Sequence, residues 1–246
     1  MIKFFRTIRQ RMLKENRFSR YFLYAIGEIV LVVIGILIAL QINTWNENQK
    51  LRHRQVDLIN ALILDLNAKM EENTGDLAYG EDIMAKAEKA LQDMGSGAAI
   101  DTADVRDLLK NMAADEWRYM TTTPTYNSII NSDLWQQLPD TLANGVQHIY
   151  DHHSNGLRVC FEKHSEYATH CRLTYLAPHD LLDLDQDPMV LSMKIAEDPE
   201  AFRVNLTTFM SGVYRLIKYN RASGKAIEAQ IPALNSYRDE LSEGSH

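Results

Sequence analysis

Residues 21–45 read YFLYAIGEIVLVVIGILIALQINTW and form the longest apolar run of the chain. Ile29–Leu40 carries no polar side chain, and Glu28 is the only charged residue of the run. A run of ~20 apolar residues, at a rise of ~1.5 Å per residue, matches the ~30 Å hydrocarbon layer of a bilayer. A core helix of a soluble protein would show a polar stripe, so the run predicts a membrane-spanning helix.

The charges on the two sides of the apolar run have opposite signs. Residues 1–20 hold seven Lys or Arg side chains and one Glu, a net charge of +6, whereas the whole chain carries −7, so residues 21–246 carry −13. Because Lys and Arg concentrate on the cytoplasmic flank of membrane helices, we expect a bacterial inner-membrane protein with its N-terminus in the cytoplasm and its body in the periplasm. The reverse orientation is the alternative. The acidic body argues against a nucleic-acid partner.

The basic leader begins with MIKFFRTIRQRMLK, whose apolar residues recur every three or four positions. This spacing is typical of an amphipathic helix on an anionic lipid surface, and a disordered basic tail is the alternative. The side chains expected at the lipid surface are Lys3, Arg6, Arg9, Arg11 and Lys14. The leader and the apolar run are both longer than in a signal peptide, and no small-x-small cleavage site follows, so we interpret the run as an uncleaved anchor.

One stripe of the apolar run differs from the other faces of the predicted helix. Its members recur at alternating spacings of three and four: Ala25, Glu28, Val32, Gly35, Ala39 and Ile42. Small residues four apart let two helices approach closely, so the stripe predicts self-association. A lone helix, in which the small residues have no role, is one alternative. A homo-oligomeric channel, in which the stripe lines a pore and Glu28 attracts cations, is another. Glu28 handles ions or protons, snorkels to the membrane surface, or pairs with a basic residue of the leader such as Arg20.

The chain after the apolar run shows a helical pattern throughout. Its first Gly is Gly75 and its first Pro is Pro124, so we expect one helix to continue to about residue 72 or as far as Met94, and Gly95-Ser96-Gly97 to end it. Start signals and Pro positions predict further helices: one opened by Asp101–Asp104, short turns at 126–130 and 134–138, a long helix from its cap Asp140 to about Leu176, one at 189–196, and a last one from Asp198 to about Leu241, with a bend near Pro232.

The predicted fold is all-α. It consists of a basic interfacial N-terminal helix, one transmembrane helix and, continuous with it, an antiparallel helical bundle outside the membrane. The expected domains are the leader at 1–20, the transmembrane helix at 21–45, the bundle at 46–242 and a tail at 243–246, whose Gly-Ser-His end we interpret as a cloning remnant.

Residues 1–47 resemble the N-terminus of a family of small bacterial membrane proteins, common in Bacteroidota, whose function is unknown. The resemblance is carried by Phe4-Phe5-Arg6, Tyr24-Ala25-Ile26-Gly27-Glu28 and Gln41-Ile42-Asn43. A second segment, Thr125–Ile130 through Ile149-Tyr150, is similar to that family's aromatic segment and the helix after it. It departs at Asn131-Ser132-Asp133, where the family has Ser-Gly. The resemblance implies a membrane location and a helical domain, and it implies no activity.

An aromatic segment lies at 117–139, between the predicted helices. Its candidate contact residues are Trp117, Tyr119, Tyr126 and Trp135. Such residues are enriched at binding surfaces, so the segment is a candidate surface for a ligand or a protein partner. The alternative is a plug that closes the core of the bundle.

The predicted helix at 140–176 is rich in His and Cys. His148, His152, Cys160, His164 and Cys171 are candidate ligands for zinc, copper or haem iron, since imidazole and thiolate suit these metals. The alternative is buried cysteines and surface histidines, because no C-x-x-C, C-x-x-C-H or H-E-x-x-H motif is present. Eleven residues of straight helix hold the two cysteines ~16 Å apart, too far for a disulfide, and we expect buried thiols.

Other motifs are weaker. Asp183, Asp185 and Asp187 resemble the start of a calcium loop, but Pro188 and Lys194 replace its Gly and its closing Glu, which leaves at most a loose cation contact. No G-x-S-x-G, phosphate-loop or dinucleotide motif occurs. The motifs therefore identify no nucleophile with its base, so an enzyme is not the favoured interpretation.

These features favour a non-enzymatic, membrane-anchored, self-associating protein of sensor or scaffold type, which binds a ligand or partner with its bundle and uses no cofactor. Its partners would be the lipid bilayer, further copies of itself, and a protein or small molecule outside the membrane. Two other functions stay open: a homo-oligomeric channel lined by the stripe around Glu28 and Gly35, and a metal-dependent protein that uses the His and Cys residues of the 140–176 helix.

Overall fold

A computed structural model describes residues 18–113, 117 and 124–243. This part of the chain consists of helices joined by turns and contains no strand, so the prediction of an all-α fold is confirmed. The N-terminal leader is described only from Phe18 onward. Its lipid-surface residues therefore lie outside the described residues, as does the end of the tail, 244–246.

The described chain contains seven α-helices, and the helix at 140–176 changes its winding twice. The elements in chain order are α1 Phe18–Ser96, α2 Thr102–Ala113, α3 Pro124–Ile129, a 3-10 turn Trp135–Gln137, α4 Asp140–Gln147, a π-helical turn His148–His153, α5 Ser154–Cys171, a second π-helical turn Arg172–Leu176, α6 Pro188–Glu197 and α7 Pro199–Glu243. The predicted elements after the apolar run are all found, with ends shifted by a few residues.

Helix α1 is 79 residues long and contains both the apolar run and the first helix of the bundle. The continuous helix predicted from the lack of Gly and Pro is therefore confirmed. It ends next to Gly97, whose φ of +75° is a left-handed conformation that Gly adopts without steric cost. The chain forms two compact units, and the boundary between them falls within α1, between Gln55 and Val56.

The first unit contains the apolar run, whose side chains are exposed almost throughout. Of the stripe, Glu28, Val32, Gly35, Ala39 and Ile42 are exposed and Ala25 is half-buried. By length and composition, α1 is the one helix in the described part of the chain that could cross a membrane. Exposed Ile, Leu and Val side chains in such numbers are costly in water and favourable in lipid.

The second unit packs α7 against α1 and against the helix at 140–176. The direction of α7 follows from two contacts: the Gln230 side chain donates to the Leu142 carbonyl (3.2 Å), and the Cys171 thiol donates to the Asn205 carbonyl (3.4 Å). Late residues of α7 thus meet early residues of the 140–176 helix, so the two run antiparallel. Arg221 pairs with Glu81 of α1 at 2.6 Å, and this part of the bundle is antiparallel, as predicted.

Among the described residues, the bundle contains two large buried clusters and a small third one, which includes Cys160 and Leu216. One large cluster contains residues 58–66 of α1, the aromatic segment and the second half of α7, among them Leu62, Leu66, Tyr126, Ile227 and Leu234. The other large cluster joins residues 83–90 of α1 to α2, α6 and the first half of α7, among them Leu108, Leu109, Leu191, Phe202 and Phe209. Burial of side chains from helices far apart in sequence is what holds the unit together.

The helix caps differ from the predictions at one place. Asp140 was expected to cap its helix, but it is the first residue of α4, the cap position is Pro139, and no side chain caps the helix there. Asp198 does cap α7, because its Oδ1 accepts a hydrogen bond from the Ala201 amide at 3.0 Å. Pro232 lies inside α7, which continues past it to Glu243.

Candidate functional site

A groove of about 900 Å³ lies in the second unit, between α1, α5 and α7. One face of α7 forms its floor, with residues that recur about once per helical turn: Thr207, Met210, Ser211, Tyr214, Lys218 and Tyr219. The core residues of α7, such as Phe209 and Val213, lie on a neighbouring face. The helix therefore has one face for the core and one for the groove. The volume is within the range of small-molecule sites.

Helices α5 and α1 supply the walls of the groove. From α5 come Gly156, Val159, Cys160 and Lys163, which share one helical face, and α1 contributes Met84 together with the carboxylate of Glu88. At one end, the walls close because α5 and α7 touch. A Cβ on Gly156 would lie 2.7 Å from Cε1 of Tyr219, so only Gly permits this approach.

The charges of the groove are mostly positive. Lys163, Arg215 and Lys218 line it, against the single carboxylate of Glu88. Lys163 Nζ pairs with Glu166 at 2.6 Å. Within the described part of the chain, Arg215 and Lys218 form no ion pair. Two neighbouring cations are thus available to a ligand, in a chain whose net charge is −7.

Both cysteines are buried and free, as predicted. Cys160 lies on the groove with 8% of its surface exposed. Burial raises the pKa of the Cys160 thiol, and the nearby Arg215 charge lowers this pKa in part. Cys171 is fully buried in the core, and burial raises its pKa to about 11. Both thiols are therefore protonated at neutral pH and poor nucleophiles.

The five candidate metal ligands do not come together. His148 and His152 stack with their ring centroids 4.7 Å apart and are exposed, whereas Cys160 lines the groove, His164 packs against Phe209, and Cys171 lies in the core. The set covers 24 residues of helix, or ~35 Å, and its members point to different sides. Among the described residues, no group of three His, Cys, Asp or Glu side chains is placed to hold a metal ion.

The aromatic segment packs inward where the structure describes it. Tyr126 is 4% exposed and stacks on Tyr150 at 4.2 Å. Trp117 donates a hydrogen bond to Asp76 (2.9 Å), and Trp135 is half-buried against Tyr126 at 5.9 Å. These placements fit a plug of the core and contradict a contact surface made by Tyr126. Tyr119 lies outside the described residues.

The π-helical turn carries a polar network that the sequence patterns did not reveal. Tyr150 donates a hydrogen bond to Asp65 of α1, and Lys69 Nζ lies 5.0 Å from the centroid of the Tyr150 ring. Only 9% of Lys69 is exposed. Burial lowers the pKa of its amine, while the charges of Asp65 and Glu72 raise that pKa. The only sign of this network in the sequence is that Asp65 and Lys69 lie four residues apart. That spacing predicts an ion pair on the surface of a helix.

A lysine joins two residues of the acidic turn, Asp180 and Gln186, and does not bind the three aspartates at which a loose cation contact was expected. Lys194 Nζ lies 2.6 Å from Asp180 Oδ2, 2.9 Å from the Asp180 carbonyl and 2.6 Å from Gln186 Oε1. Asp187 caps α6 by accepting the Met189 amide at 2.8 Å. The turn is therefore held by the chain's own ammonium group and by a helix cap.

The fold and the groove together define a class: an all-α protein with one apolar N-terminal helix that is long enough to cross a membrane, followed by a helical unit with a groove. A model of a family of unknown function, DUF6090, matches residues 28–159. The match covers more than half of the chain, so the chain belongs to this family. It includes α1 from Glu28, the aromatic segment and α5 as far as Val159. No curated protein and no solved structure matches the chain.

Proposed function

We propose that this protein is a single-pass, membrane-anchored receptor of sensor or scaffold type whose second unit binds a small amphiphilic ligand in the groove between α1, α5 and α7. The observation that carries the proposal is the groove itself, about 900 Å³ with apolar and cationic walls. Within the described residues, faces of three helices form the groove. A ligand can therefore enter it without the unfolding of any helix. No catalytic role is part of the proposal.

The anchor is the apolar run of α1, with the leader in the cytoplasm and the second unit in the periplasm of a bacterial cell. Its support is the length and composition of the helix and the difference between the +6 leader and the acidic remainder of the chain. The resemblance of residues 1–47 to single-pass proteins of Bacteroidota points the same way. Cys160 and Cys171 are then buried thiols in an oxidising compartment, and burial protects them.

Ligand binding can be tested through Cys160, which lines the groove, with Cys171 as a control in the same molecule. The full chain in phosphatidylcholine nanodiscs is treated with iodoacetamide at alkaline pH, and the labelling rate of each thiol is followed by mass spectrometry. We expect Cys160 to react first. A ten-carbon amphiphile, decanol or decanoate, should slow its labelling about tenfold at a concentration about ten times Kd, because labelling requires the open groove.

The controls separate groove binding from a general effect on the protein. Acetate, which lacks the chain, should not change the rate at Cys160. Labelling of Cys171 should stay slow under every condition, since the residue is fully buried. If neither ten-carbon compound protects Cys160, the groove is not a ligand site and the proposed function fails.

Self-association through the stripe is the second part of the proposal, and its support is the repeated spacing of small residues on an exposed face. We expect Gly35→Ile to weaken oligomerisation in detergent about tenfold or more, because the branched side chain separates the helices. Native mass spectrometry measures the subunit number. Gly27→Ile is the matched control, since Gly27 lies on the same helix outside the stripe, and it should leave the oligomer unchanged.

The same measurement addresses the channel. A dimer that depends on Gly35 supports the receptor. A ring of five or more subunits, together with a cation conductance that Glu28→Gln reduces, would support a pore lined by the stripe instead. If Gly35→Ile leaves the subunit number unchanged, the stripe is not part of the interface between subunits.

A further inference from the structure

We propose that the ligand of the groove is a long-chain carboxylate, a fatty-acid-like anion with its head at Arg215 and Lys218 and its chain against the apolar side chains that line the groove, Met84, Val159 and Met210. This inference deepens the proposed function and depends on it. It is carried by the two cations and the apolar side chains that line the groove together.

The head-group site lies near the end of the groove that Tyr219 and Gly156 close. Arg215 and Lys218 are three residues apart and therefore neighbours on one face of α7. Both are exposed, and within the described residues neither forms an ion pair. Arg215 also lies close enough to Cys160 for its charge to lower the thiol pKa. A guanidinium binds a carboxylate with two parallel hydrogen bonds.

The groove also suits an alkyl chain. Its floor extends along α7 from Thr207 to Tyr219, 13 residues or ~18 Å. Three apolar side chains line it: Met84 of α1, Val159 of α5 and Met210 of α7. Methionine adapts its shape to flexible apolar ligands. Thr207 and Ser211 do not compete for the ligand, because their hydroxyls donate to carbonyls of their own helix.

The charges also limit the ligand to one anionic group. Two cations that form no ion pair within the described residues attract a single anion locally, while the net charge of −7 repels a polyanion such as a nucleic acid or an acidic peptide. Glu88, on the opposite wall, adds to this repulsion. A monocarboxylate with a long chain satisfies the cations and the apolar walls together.

The test compares head groups and variants in the Cys160 labelling assay with the full chain in phosphatidylcholine nanodiscs. We expect decanoate to protect Cys160 at about one-tenth of the concentration that decanol needs, since a charge-assisted hydrogen bond is worth about tenfold in affinity. Arg215→Gln and Lys218→Gln should each raise the half-protecting concentration of decanoate about tenfold and leave that of decanol unchanged. Both residues are exposed, so neither change should affect folding.

Lys225→Gln is the matched control, because Lys225 lies two turns further along the same face of α7, is exposed and does not line the groove. It should leave both concentrations unchanged. Equal protection by decanol and decanoate would overturn the carboxylate while leaving a groove that binds ligand. Stronger protection by decyl phosphate than by decanoate would overturn it in favour of a phosphate head. Protection by neither ten-carbon compound would overturn the proposed function as well.

Discussion

Replacing Trp117 by Ala is expected to lower the free energy of unfolding of the second unit by about 3 kcal/mol, the lower end of the range for buried Trp. The ring lies between two helices. It packs edge-on against Tyr79 of α1 at 5.1 Å and against Phe161 and His164 of α5 at 5.5 Å each. Its indole N–H donates to Asp76 at 2.9 Å. The substitution leaves a cavity and a half-buried carboxylate without this donor.

The measurement is urea unfolding of the full chain in detergent, followed by near-ultraviolet circular dichroism. Trp45→Ala is the control, because Trp45 is 66% exposed in the first unit and its loss should change the unfolding free energy of the second unit by less than about 0.5 kcal/mol. The result decides between the two interpretations of the aromatic segment at Trp117. A plug of the core loses stability, whereas a contact surface for a partner keeps its stability when Trp117 is removed.

Replacing Asp65 by Ala is expected to lower the unfolding free energy by about 2–3 kcal/mol. Asp65 accepts the hydrogen bond of Tyr150, and its charge favours the ammonium form of Lys69 more than that of Glu72 does. Without it, a buried amine and a buried hydroxyl lose their partner. Glu71→Ala, an exposed acid on the same helix, should change stability by less than about 0.5 kcal/mol.

A second change tests the cause of this loss. The double variant Asp65→Ala, Lys69→Met should recover about 1 kcal/mol or more of the deficit, since an apolar side chain of similar shape does not need the countercharge. The deficit of Asp65→Ala should also shrink when the pH is raised from 7 toward the ordinary pKa of lysine. Burial lowers the pKa of Lys69 below its value in the unfolded chain, and the Asp65 charge opposes this lowering. Without Asp65 the native state releases the Lys69 proton at a lower pH, so the stability of the variant rises more steeply with pH than that of the wild type. A deficit that is the same at both pH values, and that Lys69→Met leaves in place, would show that the amine is not its cause.

The network around Tyr150 also explains why the His and Cys residues were a misleading signal. Tyr150 faces α1, while its neighbours His148 and His152 face solvent, and the π-helical winding between His148 and His153 sets these directions. Periodicity of 3.6 residues predicts shared faces only in a regular α-helix. The spacing within the sequence therefore could not show which of the candidate ligands would meet.

The sequence by itself determined the features of this protein that depend on neighbouring residues. The apolar run at 21–45, the length of α1, its end at Gly97 and the start of α7 at Asp198 all follow from local composition, Gly and Pro positions and capping. The lack of a disulfide between Cys160 and Cys171 followed as well, because a straight helix holds them too far apart. Local motifs also predicted a family of unknown function, and a family of unknown function matches residues 28–159.

Only the tertiary structure decided the groove, the role of Trp117 and the pairing of Asp65 with Tyr150. Each joins residues that are far apart in sequence: Met84, Cys160 and Arg215 meet in the groove although more than fifty residues separate each from the next. Helix packing sets which faces meet, and many sequences with the same periodicity would pack differently. Arg215 and Lys218 look like ordinary solvent-facing cations of an amphipathic helix until α1 and α5 place apolar walls beside them.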